Sequence, residues 1–149
     1  METMIVERTI DAPIDDVFAW LTTTTNYTAS PLVLRCRLTR RGETAPYGLG
    51  AVRSHLWMIG WFRERISHYD PPYATEYVVE RSVPPARHEV GRMTFTETDG
   101  GTRVCWTTRA EIPVPLIGPL LTRRVARPII TRTFGNILAA ADAALARRT

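Results

Sequence analysis

Hydrophobic and polar residues alternate with one spacing in most of the chain and with another in its C-terminal part. From residue 32 to residue 112 apolar residues recur at every second position, as Leu34, Cys36 and Leu38 do around Arg35 and Arg37, which is typical of β-strands. Turns rich in glycine and proline separate the runs. With a similar run near the N-terminus, the pattern predicts seven strands, at residues 3–10, 32–42, 51–58, 61–69, 73–83, 89–98 and 102–112. The short connections after the second strand predict antiparallel hairpins.

The C-terminal segment, residues 118–148, has the three- and four-residue spacing of an amphipathic helix. Its apolar positions are Leu121, Val125, Ile130, Phe134, Ile137, Leu138, Ala141 and Leu145. Pro128 lies inside this segment, so the helix is expected either to kink there or to split into two. Two short helices are predicted between the first two strands, one starting at Pro13 and one over residues 26–30.

These elements give an α+β fold, and several turns along the chain match a known pattern. The matching segments are Ile10-Asp11-Ala12-Pro13, Gly48-x-Gly50, Glu64-Arg65-Ile66 before Asp70-Pro71-Pro72, and Gly100-Gly101-Thr102-Arg103-Val104. In this order they resemble the START-like and Bet v1-like helix-grip superfamily, and within it the polyketide cyclase/dehydrase (SRPBCC) family. The resemblance implies a curved seven-stranded antiparallel sheet that grips a long C-terminal helix around an apolar cavity. It also implies a hydrophobic ligand, but it carries no catalytic residue to this chain.

Length and composition set further bounds. The 149 residues, 44% of them hydrophobic and 23% charged, predict one globular domain over residues 1–149 and exclude disorder and a coiled coil. No apolar run approaches the roughly 20 residues that span a bilayer, so no stable membrane insertion is expected. Acidic residues near the N-terminus and the lack of a following apolar stretch argue against a secretory signal. We therefore predict a cytoplasmic protein.

The net charge of +4 comes from arginines, several of which lie near the C-terminus. They are Arg123, Arg124, Arg127, Arg132, Arg147 and Arg148. Such a cluster could attract nucleic acid or anionic lipid. Because no nucleic-acid motif accompanies it, we predict a solvated helix face and no nucleic-acid partner, and we leave a homodimer open. Cys36 and Cys105 form no C-x-x-C pair and are expected to serve as small apolar side chains.

The alternation within the strands predicts which side chains face the helix and bind a ligand. In the seventh strand Val104, Trp106 and Thr108 should face inward, whereas Arg103 and Arg109 should face water. The expected ligand-binding residues are Trp57, Phe62, Tyr77, Val79, Met93, Phe95, Val104 and Trp106 on the sheet, and Ile130, Phe134 and Leu138 on the helix. For most of these residues simple core packing is the competing interpretation.

Three polar residues are the candidates for acid–base chemistry. Glu64 should face the cavity, where burial would raise its pKa, unless it pairs with an arginine such as Arg53 or a bulge turns it outward. His55 is predicted to reach the cavity beside Trp57. Tyr77 carries a hydroxyl that needs a partner when buried and could orient a ligand.

The remaining polar residues suggest no other chemistry. His68 and His88 lie near strand ends and are expected to be exposed. The spacing of histidines and cysteines predicts no metal site, and no motif predicts a cofactor.

Three functions remain open at this point. The first is binding of a small hydrophobic molecule, such as a lipid, a polyketide or a sterol-like compound, between the sheet and the last helix. The alternative is a cofactor-independent polyketide cyclase or dehydratase that uses Glu64, His55 or Tyr77 as acid and base. The third is an interaction protein that uses the basic helix face.

Overall fold

The computed structural model describes residues 1–146, which form a seven-stranded antiparallel sheet around a C-terminal helix. The strands are β1 (Glu2–Ile10), β2 (Val33–Arg40), β3 (Val52–Trp57), β4 (Gly60–Asp70), β5 (Ala74–Val83), β6 (Arg87–Thr98) and β7 (Gly101–Glu111). The helices are α1 (Ile14–Thr22), a 3-10 helix (Thr24–Ala29), α2 (Gly118–Leu121), a π-helical turn (Thr122–Ala126) and α3 (Arg127–Ala146). The predicted helix-grip fold is confirmed. Arg147 and Arg148 lie outside the described residues.

The strand order β1-β7-β6-β5-β4-β3-β2 follows from short hairpins between consecutive strands and a return of β1 to the side of β7. In β7 Val104, Trp106 and Thr108 are buried, whereas Arg103 and Arg109 are exposed. The period-two pattern therefore predicted correctly which face of this strand packs against the helix.

At several other positions β-bulges change which face of the sheet a side chain lies on. Leu34 is an extra residue between Val33 and Arg35 in the pairing of β2 with β3, and its side chain is exposed. Leu34 therefore does not share the inward face of Cys36, although the two alternate with Arg35 in the sequence. One inserted residue moves the side chains beyond it to the opposite face, and a composition pattern does not reveal the insertion.

The core is filled at the end of the sheet that α1 covers. Phe18 of α1 packs edge-on against Phe95 at 5.1 Å between ring centroids. Met93, Val104 and Leu138 belong to the same buried cluster. Fully burying side chains of this size contributes about 1.5–3 kcal/mol each. Because α1 and the second half of α3 both pack here, side chains occupy this end of the space between sheet and helix.

The C-terminal helix neither ends nor restarts as a separate helix at Pro128. A π-helical turn precedes the proline, and the Arg127 N–H donates to Thr122 O, five residues back. Proline lacks an N–H and its ring crowds the carbonyl four residues earlier. The wider π turn provides the local adjustment, so helical backbone runs from Gly118 to Ala146.

Substitutions at two glycines test the packing around Tyr77, because one glycine is crowded and the other has open space beside it. Gly91 lies under the ring of Tyr77, and a Cβ on Gly91 would lie 2.0 Å from Tyr77 Cζ. We expect Gly91→Ala to lower the free energy of unfolding by about 1–3 kcal/mol, because Tyr77 is buried and cannot move without breaking its contacts. Urea unfolding measures the change.

Gly135→Ala is the matched control, since a Cβ on Gly135 meets no atom within 4 Å and lies within α3. This substitution should stabilise the protein by up to about 1 kcal/mol through helix propensity. Equal effects of the two substitutions would contradict the described position of Tyr77.

Candidate functional site

A cavity of about 340 Å³ lies between the sheet and the first half of the C-terminal helical run. Its volume falls within the range of small-molecule sites. The lining residues come from all strands except β2 on one side, and from the π-helical turn and α3 on the other, with Tyr27 of the 3-10 helix added. Pro84, Pro85 and Ala86, between β5 and β6, lie at its edge.

Aromatic side chains form much of the cavity wall. Trp106 and Phe134 stack with their ring centroids 3.8 Å apart and their planes nearly parallel. Trp57 packs edge-on against both Phe62 and Phe134. These contacts tie the sheet to α3, and they give the cavity a predominantly apolar surface of fixed shape.

Seven of the eleven predicted ligand-binding residues line the cavity. They are Trp57, Phe62, Tyr77, Val79, Trp106, Ile130 and Phe134. The other four, Met93, Phe95, Val104 and Leu138, face the same interior but lie in the filled core. Alternation predicted their inward direction, but it could not show that the core under α1 is filled.

Glu64 faces the cavity from β4 and accepts two hydrogen bonds on one oxygen. Arg53 Nη2 lies 2.6 Å from Glu64 Oε1, and His55 Nε2 lies 2.8 Å from the same atom. Arg53 and His55 alternate on β3, and Arg53 is the direct cross-strand neighbour of Glu64. The arginine partner considered from the sequence is therefore present, and the histidine adds a second donor.

The expected rise in the Glu64 pKa is wrong. Burial by itself would raise it, but His55, Arg53 and the hydrogen bond from His55 together outweigh this effect and lower the pKa to about 2. Glu64 is therefore a carboxylate at neutral pH, with a side chain only 12% exposed. A carboxylate stabilised in this way is a weak base.

His55 has no free ring nitrogen. Its Nδ1 lies 3.1 Å from Cys36 Sγ, and its Nε2 is bound to Glu64. Burial and the charge of Glu64 raise the pKa of the Cys36 thiol to about 12, so the sulfur keeps its proton. Cys36 is thus a buried structural partner of His55, as expected for a small side chain inside the fold.

The Tyr77 hydroxyl oxygen accepts a hydrogen bond from a side chain of β7. Trp106 Nε1 donates to it at 2.9 Å. Arg53 lies over the Tyr77 ring at 5.3 Å. Burial and the charge of Glu64 raise the Tyr77 pKa, so the hydroxyl remains a neutral donor. With its oxygen accepting from protein, its hydrogen is the group left for a molecule in the cavity.

His88 also lines the cavity, and the prediction that it is exposed is wrong. Glu89 is an extra residue between His88 and Val90 in the pairing of β6 with β7, so this bulge turns His88 to the inward face. Its Nδ1 accepts from the Val79 N–H at 3.2 Å, and its Nε2 lies 2.8 Å from Thr108 Oγ1. Burial lowers the His88 pKa, consistent with a neutral ring whose tautomer the backbone donor fixes. His68 is exposed, as predicted.

Several further residues of the site were missed from the sequence. Arg53 was considered only as a partner for Glu64, and Thr108 only as an inward-facing residue, although both line the cavity. The signal for Arg53 was present, because it alternates with His55 and Trp57. Within residues 1–146 no group of histidine, cysteine or acidic residues is placed to hold a metal ion.

A family model described as polyketide cyclase / dehydrase and lipid transport matches residues 1–147. The chain belongs to this family. No curated protein sequence matches the chain significantly. Within the described residues, none of the helices has the length and apolar character needed to cross a membrane.

Several solved structures share the fold of this chain. A protein from Thermus thermophilus is 16% identical, with a TM-score of 0.80 and coverage of 99% of both chains. The Zhui aromatase/cyclase from a Streptomyces species is 18% identical, with a TM-score of 0.78 and coverage of 99% of this chain and 94% of that one. A START superfamily protein from Mycobacterium smegmatis is 11% identical, with a TM-score of 0.70 and coverage of 99% of both chains. At these identities the likeness shows the fold alone.

The Glu64 ion pair predicts a pH dependence of stability. The Glu64 pKa is about 2 in the folded chain, below the ordinary value of 4.5, so its contribution is complete above the unfolded pKa. It should be lost between about pH 5 and pH 2 and amount to about 3 kcal/mol. Urea unfolding across this range should therefore show a smaller loss of stability for Glu64→Gln than for the wild type.

Glu80→Gln is the control, because Glu80 pairs with Arg65 on the surface at 2.7 Å. An exposed pair contributes at most about 1 kcal/mol, so this variant should remain close to the wild type. The account of Glu64 would fail if Glu64→Gln retained the full acid sensitivity of the wild type.

Proposed function

We propose that this protein binds a small, mainly apolar molecule in the cavity between the sheet and the C-terminal helix. The observation that carries the proposal is the cavity itself, about 340 Å³ lined by aromatic and aliphatic side chains with a few polar groups at one end. Sites for small molecules typically have this composition. A cytoplasmic location and a homodimer stay predictions from the sequence.

The polar end suggests what the ligand carries. Tyr77 offers a hydroxyl hydrogen, and its oxygen already accepts from Trp106. Two buried donors of cavity residues, Trp57 Nε1 and Arg53 Nε, have no hydrogen-bond partner among the described residues. Neighbouring protein atoms cover both nitrogens, so neither is offered to a ligand in this arrangement. From the Tyr77 hydroxyl we therefore infer a ligand with a carbonyl or hydroxyl oxygen on an apolar body, a description that includes polyketides and sterol-like lipids.

An enzymatic role of the cyclase or dehydratase type is the second candidate, and the close placement of His55, Glu64 and Tyr77 favours it. However, both nitrogens of His55 are occupied, and Glu64 has the low pKa of a weak base. General acid–base catalysis works best with a pKa near the operating pH. These contacts favour binding over catalysis.

A cavity-filling variant tests the binding proposal. Ala110 lines the cavity from β7, so Ala110→Phe should occupy part of it. In titrations with the fluorescent apolar probe 1-anilinonaphthalene-8-sulfonate, we expect saturable binding to the wild type. The variant should bind at least about tenfold more weakly, because the ring removes apolar surface from the site.

Ala143→Phe is the matched control, because Ala143 is exposed on α3 and does not line the cavity. It should leave probe affinity unchanged. Equal affinities of the two variants, or no saturable binding by the wild type, would refute the proposed site. Circular dichroism and thermal unfolding establish that both variants fold.

A further inference from the structure

The connection from β7 into the C-terminal helix exposes an unusual number of large apolar side chains. Leu116 is 99% exposed, and Val114, Ile117, Leu120 and Val125 are exposed as well. We call these five residues the apolar rim. Single exposed apolar residues are common, but a contiguous group within twelve residues of chain indicates an interaction surface.

The backbone holds the apolar rim in a defined shape. Leu116 has a φ of 69°, a left-handed conformation that costs a non-glycine residue about 1–2 kcal/mol. Gly118 N donates to Val114 O at 2.8 Å, and a Cβ on Gly118 would lie 2.3 Å from Ile112 O. Ile112 N in turn donates to Thr122 Oγ1 at 2.9 Å. The segment is therefore tied to both β7 and the helix while it exposes a leucine almost completely.

The apolar rim adjoins the cavity. Val125 is both exposed to solvent and part of the cavity wall, and its neighbours Ala126 and Thr122 also line the cavity. Ile112, at the start of the connection, lines it too. A surface that covered the apolar rim would therefore lie against the edge of the cavity.

Exposed arginines accompany the apolar rim. Arg123, Arg124 and Arg127 are exposed on the same helical run that carries Leu120 and Val125. Glu2 pairs with Arg123 at 2.8 Å and lies near Arg127. Arg124 and Arg127 form no ion pair within residues 1–146. Nearby Glu111 is already matched by Arg87 and the N-terminal amine, so this surface remains basic.

We propose that the apolar rim and Arg123, Arg124 and Arg127 dock this protein on the surface of a membrane that contains anionic lipids. Apolar side chains beside arginines suit the boundary between acyl chains and negatively charged headgroups. Such docking is peripheral and needs no spanning helix. It places the edge of the cavity at the lipid surface, and it holds whether or not the cavity ligand is the one inferred above.

A second copy of the chain fits this surface less well. In a two-fold symmetric contact the same patch faces itself, which would bring the arginines of both copies together. Like charges across an interface oppose association. A nucleic acid would neutralise the arginines but leave the apolar rim facing a polar backbone.

Vesicle sedimentation tests the proposal with the full chain. We expect binding to vesicles of equal parts phosphatidylcholine and phosphatidylglycerol, and much weaker binding to phosphatidylcholine alone. Raising the salt from about 0.1 M to about 1 M should weaken binding, because the arginines are exposed. Replacing Arg124 and Arg127 by Gln should weaken it about fivefold for each arginine.

Matched variants separate the apolar rim from general surface changes. Ile117→Glu alters a residue that is 50% exposed in the apolar rim, whereas Ile5→Glu alters one that is 58% exposed on the outer face of β1. Ile117→Glu should reduce vesicle affinity about tenfold or more through lost apolar burial, and Ile5→Glu only slightly. Arg37→Gln, an exposed arginine on β2, is the control for charge.

Three results would overturn the proposal. The first is a lack of binding to the anionic vesicles or equal binding to both vesicle types. The second is an equal loss in Ile117→Glu and Ile5→Glu. The third is a dimer in solution that Ile117→Glu dissociates, without any vesicle binding by the wild type, which would assign the apolar rim to a second copy.

Discussion

The buried ion pair between Arg53 and Glu64 is the constraint on which the site depends. The two residues are cross-strand neighbours on β3 and β4, and the Arg53 side chain is only 2% exposed. Each charge would be strongly unfavourable in this environment without the other. Their contact orients His55 through the shared carboxylate oxygen and places the arginine over the ring of Tyr77. The polar end of the cavity is therefore fixed before any ligand arrives.

This fixed polar end and the apolar walls have different origins. The walls come from alternation on β3, β5 and β7 and from the stacking of Trp106 on Phe134. The open space exists because α1 fills only one end of the interior, where Phe18 meets Phe95. Preformed polar groups and preformed walls reduce the ordering cost of binding. This arrangement suits the binding of a ligand better than it suits proton transfer to or from that ligand.

The sequence predicted the strands to within a few residues, because a period of two is a strong signal over so many positions. It also predicted that Trp57, Trp106 and Phe134 face a common interior. It failed at His88, because Glu89 inserts one residue and reverses the facing of the strand. The predicted direction of the Glu64 pKa shift was wrong, because that direction depends on how closely Arg53 and His55 approach the carboxylate. The sequence could not show that Met93 lies in the filled core whereas Tyr77 lines the cavity. That difference depends on where α1 packs against the sheet in the folded chain.

Native mass spectrometry of the protein purified from its own host shows whether the cavity holds a ligand. We expect a fraction of wild-type protein to carry a small molecule, which is released on denaturation and is absent or much reduced in Ala110→Phe. Retention of the same molecule by Ala110→Phe would place it outside the described cavity. Wild-type protein that carries no molecule and takes up none from a lipid extract of the host would contradict the claim that this cavity binds a ligand.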